Sequence, residues 1–196
     1  MKHLIVANWK MNPVSLREAV ALARATQKTA REAKRVEVVI APPFPFLSAL
    51  KREAKNVRIG CQNSHWEQKG AFTGEVSWRQ LKELGVRFVI IGHSERRMFL
   101  REDDEIINKK IMSLLGNGMT PILCVGEKER EGDEIPPIVG EQLKKALGGV
   151  KSAVAGKIIV AYEPIWAIST MPGSRPDTSA NAFQAMIYIR KIVTEL

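Results

Sequence analysis

At 196 residues, 45% hydrophobic and 26% charged, the chain has the material for one large globular domain or two small ones. No run approaches the roughly 18 consecutive apolar residues of a membrane span. Met1-Lys2-His3-Leu4-Ile5 runs straight into a strand pattern without the apolar segment of a secretory leader. The formal net charge of +9 favours anionic partners, either nucleic acid or a small phosphate ester. The basic residues are nevertheless spread over many segments (Arg24, Lys28, Arg31, Lys34; Lys144, Lys145; Arg190, Lys191), which suits a solvated surface better than a nucleic-acid-binding run.

Leu4–Ala7 reads as the first strand and ends in Asn8-Trp9-Lys10. Pro13 breaks the chain, and Ser15-Leu16-Arg17-Glu18 is a capping box opening an amphipathic helix. Val36–Ile40 is the second strand, followed by a short helix over Phe46–Ala54, and Val57–Cys61 is the third. A polar loop, Gln62–Ser77, precedes a short helix over Arg79–Leu84. Phe88-Val89-Ile90-Ile91, apolar and too short for a helix, is a strand buried on both faces. A helical stretch then runs from the residues after His93 to about Leu115, with Ser94 as its cap and Glu95 in its first turn. Pro121–Val125 is the fifth strand, Pro136-Pro137 starts another helix, and Ile158–Ala161 is the sixth strand. A long loop, Ala167–Asp177, leads to a last helix capped near Thr178 or Ser179. Strict alternation over six strand–helix units demands a parallel sheet with right-handed crossovers, in one domain over residues 1–196. Cys61 and Cys124 lack metal or redox spacing and read as reduced and packed, which implies an intracellular, cytoplasmic protein.

Parallel strands bring their carboxyl ends to one face, where ligands of α/β folds bind. Asn8 and Lys10 follow the first strand, Gln62 and Asn63 the third, His93 the fourth, Glu127 the fifth and Glu163 the sixth. A lysine, a histidine and a carboxylate gathered there have the parts for proton abstraction beside a carbonyl. Glu163 would take the proton, His93 would polarise the oxygen and Lys10 would offset the developing charge. Each also has a plain reading: a hydrogen-bonded joint for His93, a surface lysine for Lys10, a strand-end ion pair for Glu163.

Five segments in order, Asn8-Trp9-Lys10, Gly70–Glu75, Ile91–Arg97, Cys124–Glu127 and Ala161–Ile168, make the chain resemble the triosephosphate isomerase family from Leu4 to the last helix. That family is itself the standard worked case of a glutamate base, a neutral histidine electrophile and a closing loop, so this mechanism is implied by the resemblance. The resemblance implies conversion of dihydroxyacetone phosphate to D-glyceraldehyde 3-phosphate without cofactor or metal. Asn8, Lys10 and Ser169 would contact substrate, with Lys10, His93 and Glu163 catalytic. Ser94, Glu95, Glu127 and Trp166 would support them, Ser94 holding the base while the loop is open. Thr73 and Glu75 would sit on a loop reaching a second subunit in a homodimer or higher homo-oligomer.

The family fold has eight strands and typically about 250 residues, so the resemblance implies an incomplete barrel of six units. The family's last two units carry glycine-rich phosphate loops, and its closing loop has Gly-Thr-Gly where this chain has Ser169-Thr170-Met171. Weak activity with a high KM is therefore expected, with a non-catalytic, self-associating scaffold as the alternative. Neither nucleic acid nor membrane is expected as a partner.

Overall fold

The computed structural model describes residues 3–132 and 134–196, so Met1 and Lys2 of the proposed leaderless start lie outside the described residues. Six strands alternate with helices, and every described pairing is parallel, an incomplete TIM-type (β/α)8 architecture of six strand–helix units. By internal contacts the chain divides into two compact units: residues 3–90 with 116–120, and residues 91–115 with 121–196.

In the first unit β1 (His3–Asn8) pairs along its whole length with β2 (Val36–Ala41), Ile5 opposite Val38 and Asn8 opposite Ala41. β3 (Arg58–Cys61) follows, and β4 (Phe88–Ile91) pairs with it through Gly60–Phe88 and Cys61–Val89. α1 (Leu16–Glu32) begins at Ser15, whose side chain accepts from the Glu18 N–H, one half of the expected capping box. α2 (Leu47–Glu53) and α3 (Trp78–Glu83) complete this unit, with a core of Val39, Ile40, Leu47, Leu50, Leu81 and Val89.

In the second unit α4 (Ser94–Leu100) and α5 (Asp104–Gly116) replace the single helix expected from the residues after His93 to Leu115. β5 (Thr120–Val125) pairs with β6 (Ile159–Tyr162), Val125 opposite Tyr162. α6 (Pro137–Ala146), the short α7 (Ser152–Ala155) and α8 (Ser179–Glu195) follow their strands. Ile107, Ile111, Leu114, Leu123, Val139 and Leu143 fill this core.

The break after α4 has a physical cause. Arg101 takes a left-handed conformation (φ 54°), and the N–H groups of Arg101 and Glu102 both donate back to the Arg96 carbonyl, the latter at 3.3 Å, closing the helix end. Asp103 then caps α5 by accepting from the Ile106 N–H at 2.8 Å. On a straight helix, residues six apart stand about 120° apart around the axis, so Arg96 and Glu102 would not meet. The break turns Glu102, only 7% exposed, onto Arg96 (Nη2, 2.7 Å) and Lys110 (Nζ, 2.5 Å). Burial raises the Glu102 pKa, but the hydrogen bonds and charges of Arg96 and Lys110 outweigh it and hold the carboxyl below its ordinary value.

Glu102→Gln would leave the Lys110 ammonium buried with its carboxylate partner gone, so a loss of about 3–5 kcal/mol is expected in urea unfolding at neutral pH. Because the folded value is depressed, this contribution is complete above the ordinary carboxyl value of 4.5 and is lost as pH falls through the lowered one. The stability gap between wild type and variant should therefore narrow only below that value; a gap that closes near neutrality would refute the assignment.

Candidate active site

Gly92 makes the turn from β4 into α4. Its φ is 73°, and a Cβ there would lie 3.2 Å from Arg97 Nη2, the Cys124 carbonyl and Ile107 Cδ1. The residue that caps α4 is then His93 and not Ser94: the His93 Nδ1 accepts from the Glu95 N–H at 3.3 Å, and Ser94 is the first residue of the helix. The Glu95 carboxylate stands 3.5 Å from the same nitrogen. With Nδ1 accepting from the main chain, the ring hydrogen belongs on Nε2.

Nε2 faces Glu163, 2.9 Å from its Oε1, while the Ser94 N–H donates to Oε2 at 3.2 Å. Ser94 thus engages the carboxylate through its main-chain N–H. Burial pushes the Glu163 pKa up; its interactions with His93 and then with Ser94 pull it down further, so the group lies below its ordinary value.

Glu163 reaches this position because β6 ends hard against the end of β5. The Glu163 N–H donates to the Val125 carbonyl at 2.8 Å. A Cβ on Gly126 would stand 2.0 Å from the Glu163 carbonyl oxygen and 3.0 Å from the Pro164 nitrogen. Gln142 of α6 then serves Gly126 as a stand-in strand, accepting from its N–H at 2.9 Å and donating to its carbonyl at 3.1 Å.

Glu127, 1% exposed, gathers a second cluster. Its Oε1 accepts from the Tyr162 hydroxyl at 2.6 Å and from the Trp166 Nε1 at 2.9 Å, and its carbonyl accepts from the Ile165 N–H at 2.9 Å. Burial and the Glu127 carboxylate push the Tyr162 phenol well up, so it stays a neutral donor. Cys124 is a free, buried thiol, pushed up first by burial and then by the Glu163 charge, and is chemically inert. Ser169 lies exposed on the turn after Trp166.

The other predicted site residues belong to the first unit. Lys10 holds a left-handed backbone (φ 53°), a conformation costing on the order of 1–3 kcal/mol for a residue with a side chain. Two side chains hold it there. Asn8 Oδ1 accepts from the Lys10 N–H at 3.0 Å, and Gln62 Nε2 donates to the Lys10 carbonyl at 2.8 Å and to that of Ala41 at 2.9 Å. Thr73 and Glu75 are exposed on a turn at Gly74, where the Glu75 N–H donates to the Phe72 carbonyl at 3.0 Å. Among the described residues no group of three His, Cys, Asp or Glu is placed to hold a metal ion, and no helix is long and apolar enough to cross a membrane.

Gln142 and Glu102 were not singled out from sequence. Gln142 had one signal, a polar residue on the face of α6 that otherwise buries Val139, Leu143 and Ala146. For Glu102 the signal was Asp103-Asp104-Glu105, an acidic helix start inside an apparently continuous helix.

Parallel strand–helix units with a histidine and a glutamate paired where β4 and β6 end define a chain of the TIM-type α/β class. A family model described as triosephosphate isomerase matches residues 3–196. Proteins named triosephosphate isomerase from Alkaliphilus oremlandii (40% identical, 99% of this chain and 78% of that protein) and Caldanaerobacter subterraneus subsp. tengcongensis (42%, 98% and 77%) are similar along the same span. One from Moorella thermoacetica is 42% identical over 98% of the chain and 77% of its own length. The chain belongs to the triosephosphate isomerase family.

Gly126→Ala tests the close approach on which Glu163 depends. With main-chain atoms as the obstruction, the strand ends must separate, and a loss exceeding about 2 kcal/mol is expected in urea unfolding. A midpoint matching wild type would show that the strand ends part without cost.

Proposed function

We propose that the chain is a triosephosphate isomerase-like enzyme, an aldose–ketose isomerase interconverting dihydroxyacetone phosphate and D-glyceraldehyde 3-phosphate. The observation that carries this reading is the Glu163 carboxylate set on His93 Nε2 and the Ser94 N–H, at the ends of β6 and β4. Glu163 removes a proton from C1 of the ketose; the C–H electron pair forms the enediolate double bond, and the C2 carbonyl oxygen takes up the charge. His93, its Nε2 hydrogen fixed by the Glu95 N–H at Nδ1, donates to that oxygen. The protonated Glu163 returns the proton to C2, and the C1 hydroxyl proton passes to the C2 oxygen, leaving the aldehyde at C1 and a hydroxyl at C2. Both sides of the reaction have the same atoms and no net oxidation. Lys10 offsets the negative charge, with Asn8 and Ser169 as further substrate contacts, and Glu95, Glu127 and Trp166 support the machinery.

In the arrangement described, Glu163 and His93 bond to each other, so substrate must separate them before either can act. Binding energy from the non-reacting phosphate normally drives such positioning. Ser169-Thr170-Met171 lacks the glycine freedom of the family's Gly-Thr-Gly turn, which supports weak turnover and a high KM. Association with a second copy is part of the same reading. Phe183, Met186 and Ile187 of α8 are each more than half exposed, an apolar face suited to such a contact, and Thr73 and Glu75 stand exposed on their loop tip.

Isomerase activity on glyceraldehyde 3-phosphate should be measurable in the wild type and lost by roughly 10²–10⁴-fold in an identically prepared Glu163→Gln sample, as expected of a lost catalytic base. Equal rates in the two samples would overturn the reading. In the free protein, carbon-13 titration of Glu163 should give a midpoint below 4.5 that rises in His93→Gln. Sedimentation should show a species heavier than 21.9 kDa that Phe183→Asp/Ile187→Asp shifts toward the monomer; a monomer at all concentrations would refute self-association.

A further inference from the structure

The segment after Trp166 is folded back on itself by bonds that neither the base nor its immediate partners supply. The Ser174 N–H donates to the Met171 carbonyl at 3.2 Å across Pro172-Gly173, with Gly173 at φ 73°. Proline second and a positive-φ glycine third are what a type II turn demands. The turn returns the chain so that the Arg175 N–H donates to the Trp166 carbonyl at 3.0 Å, closing residues 166–175 into a compact loop. The Arg175 guanidinium then lies 5.0 Å from the centre of the Trp166 ring and donates from Nη2 to the Arg130 carbonyl at 3.1 Å. Trp166 is therefore held at both ends, its indole N–H by Glu127 and its ring face by Arg175.

Trp166 is three residues from Glu163, and the intervening Ile165 N–H is tied to the Glu127 carbonyl. Whatever fixes Trp166 thus also restrains the main chain carrying the base. The Arg175 side chain gives the loop a cation, a ring contact and one hydrogen bond that a small residue at this position lacks.

We propose that Arg175 is a positioning residue, a latch that holds Trp166 and the 166–175 loop in the conformation where Glu163 rests on His93 and the Ser94 N–H. The proposal rests on the isomerase reading for its kinetic consequence but not for its structural one. A cation over a half-buried ring, together with a hydrogen bond from a charged donor, biases the two conformations by about tenfold. Substrate that draws the base forward must first undo this bias. Removing the latch should therefore lower KM for dihydroxyacetone phosphate by about threefold or more, with kcat not raised in proportion.

The test uses the full chain labelled with 5-fluorotryptophan, the Trp166 resonance being assigned with Trp166→Phe. Arg175→Met keeps the stem and removes the charge and donors; Arg175→Lys keeps the charge. Lys144→Met, on the exposed face of α6, controls for loss of a cation. The expected result is a shifted or exchange-broadened Trp166 resonance in Arg175→Met, a smaller change in Arg175→Lys and none in Lys144→Met. A Trp166 resonance unmoved in Arg175→Met overturns the latch. A KM that rises in Arg175→Met also overturns it, because Arg175 would then be gripping the phosphate. If wild type shows no turnover, the isomerase reading fails and the fluorine spectra alone decide the latch.

Discussion

The site depends on one steric constraint, the absence of a side chain at position 126. Main-chain atoms of Glu163 occupy the volume a Cβ would take, so the end of β6 lies closer to the end of β5 than two ordinary residues allow. That approach extends the ladder past the strands, through the Glu163 N–H to Val125 and the Ile165 N–H to Glu127. It also leaves the Gly126 main chain without a neighbouring strand on its other side, and Gln142 supplies both missing hydrogen bonds from α6. A buried amide with its donor and acceptor both used costs little, whereas the same amide unpaired would cost on the order of 1–3 kcal/mol. Glycine and glutamine are thus one device, and it delivers the base to the histidine.

Three buried or half-buried carboxylates in this unit show how partners decide what a carboxylate can do. Glu102 sits between two cations, a pairing whose loss leaves a buried charge, and it serves to fix the joint between α4 and α5. Glu127 takes two neutral donors on one oxygen and holds the ring of Trp166 and the hydroxyl of Tyr162. Glu163 has an imidazole and a single main-chain N–H, contacts that a substrate carbonyl and hydroxyl can replace one for one. Only this last arrangement keeps the carboxylate ionised while leaving it free to exchange partners, which a base must do.

Much of the frame was legible in the residues because it follows from periodicity and turn chemistry. The six strands fall within a residue or so of their expected places, and Ser15 and Thr178 cap the helices assigned to them. What escaped was set by long-range pairing. The break at Arg101 places a left-handed, non-glycine residue in a run of good helix formers, and the ion triad that stabilises it joins residues six and eight apart. The capping role of His93 was read onto Ser94 because serine is the commoner cap; the imidazole Nδ1 does the same work and thereby fixes its own tautomer. The strained Lys10 was legible only as a lysine after a strand, since Gln62, which helps hold its backbone, comes from the end of another.

The same reasoning explains why the loop after the base differs in character from the loop before it. Between Val125 and Glu163 the chain ends are locked by main-chain bonds and a steric fit that leaves no alternative. From Trp166 onward each tie is a single contact: one indole N–H, one ring face, one carbonyl at Arg130. Contacts of that size shift populations by factors of a few and do not fix a structure. A rigid strand end joined to a weakly latched loop gives the carboxylate a fixed origin and an adjustable reach. Proton transfer between two adjacent carbons needs that combination, since one oxygen must serve both carbons in turn without the main chain behind it giving way.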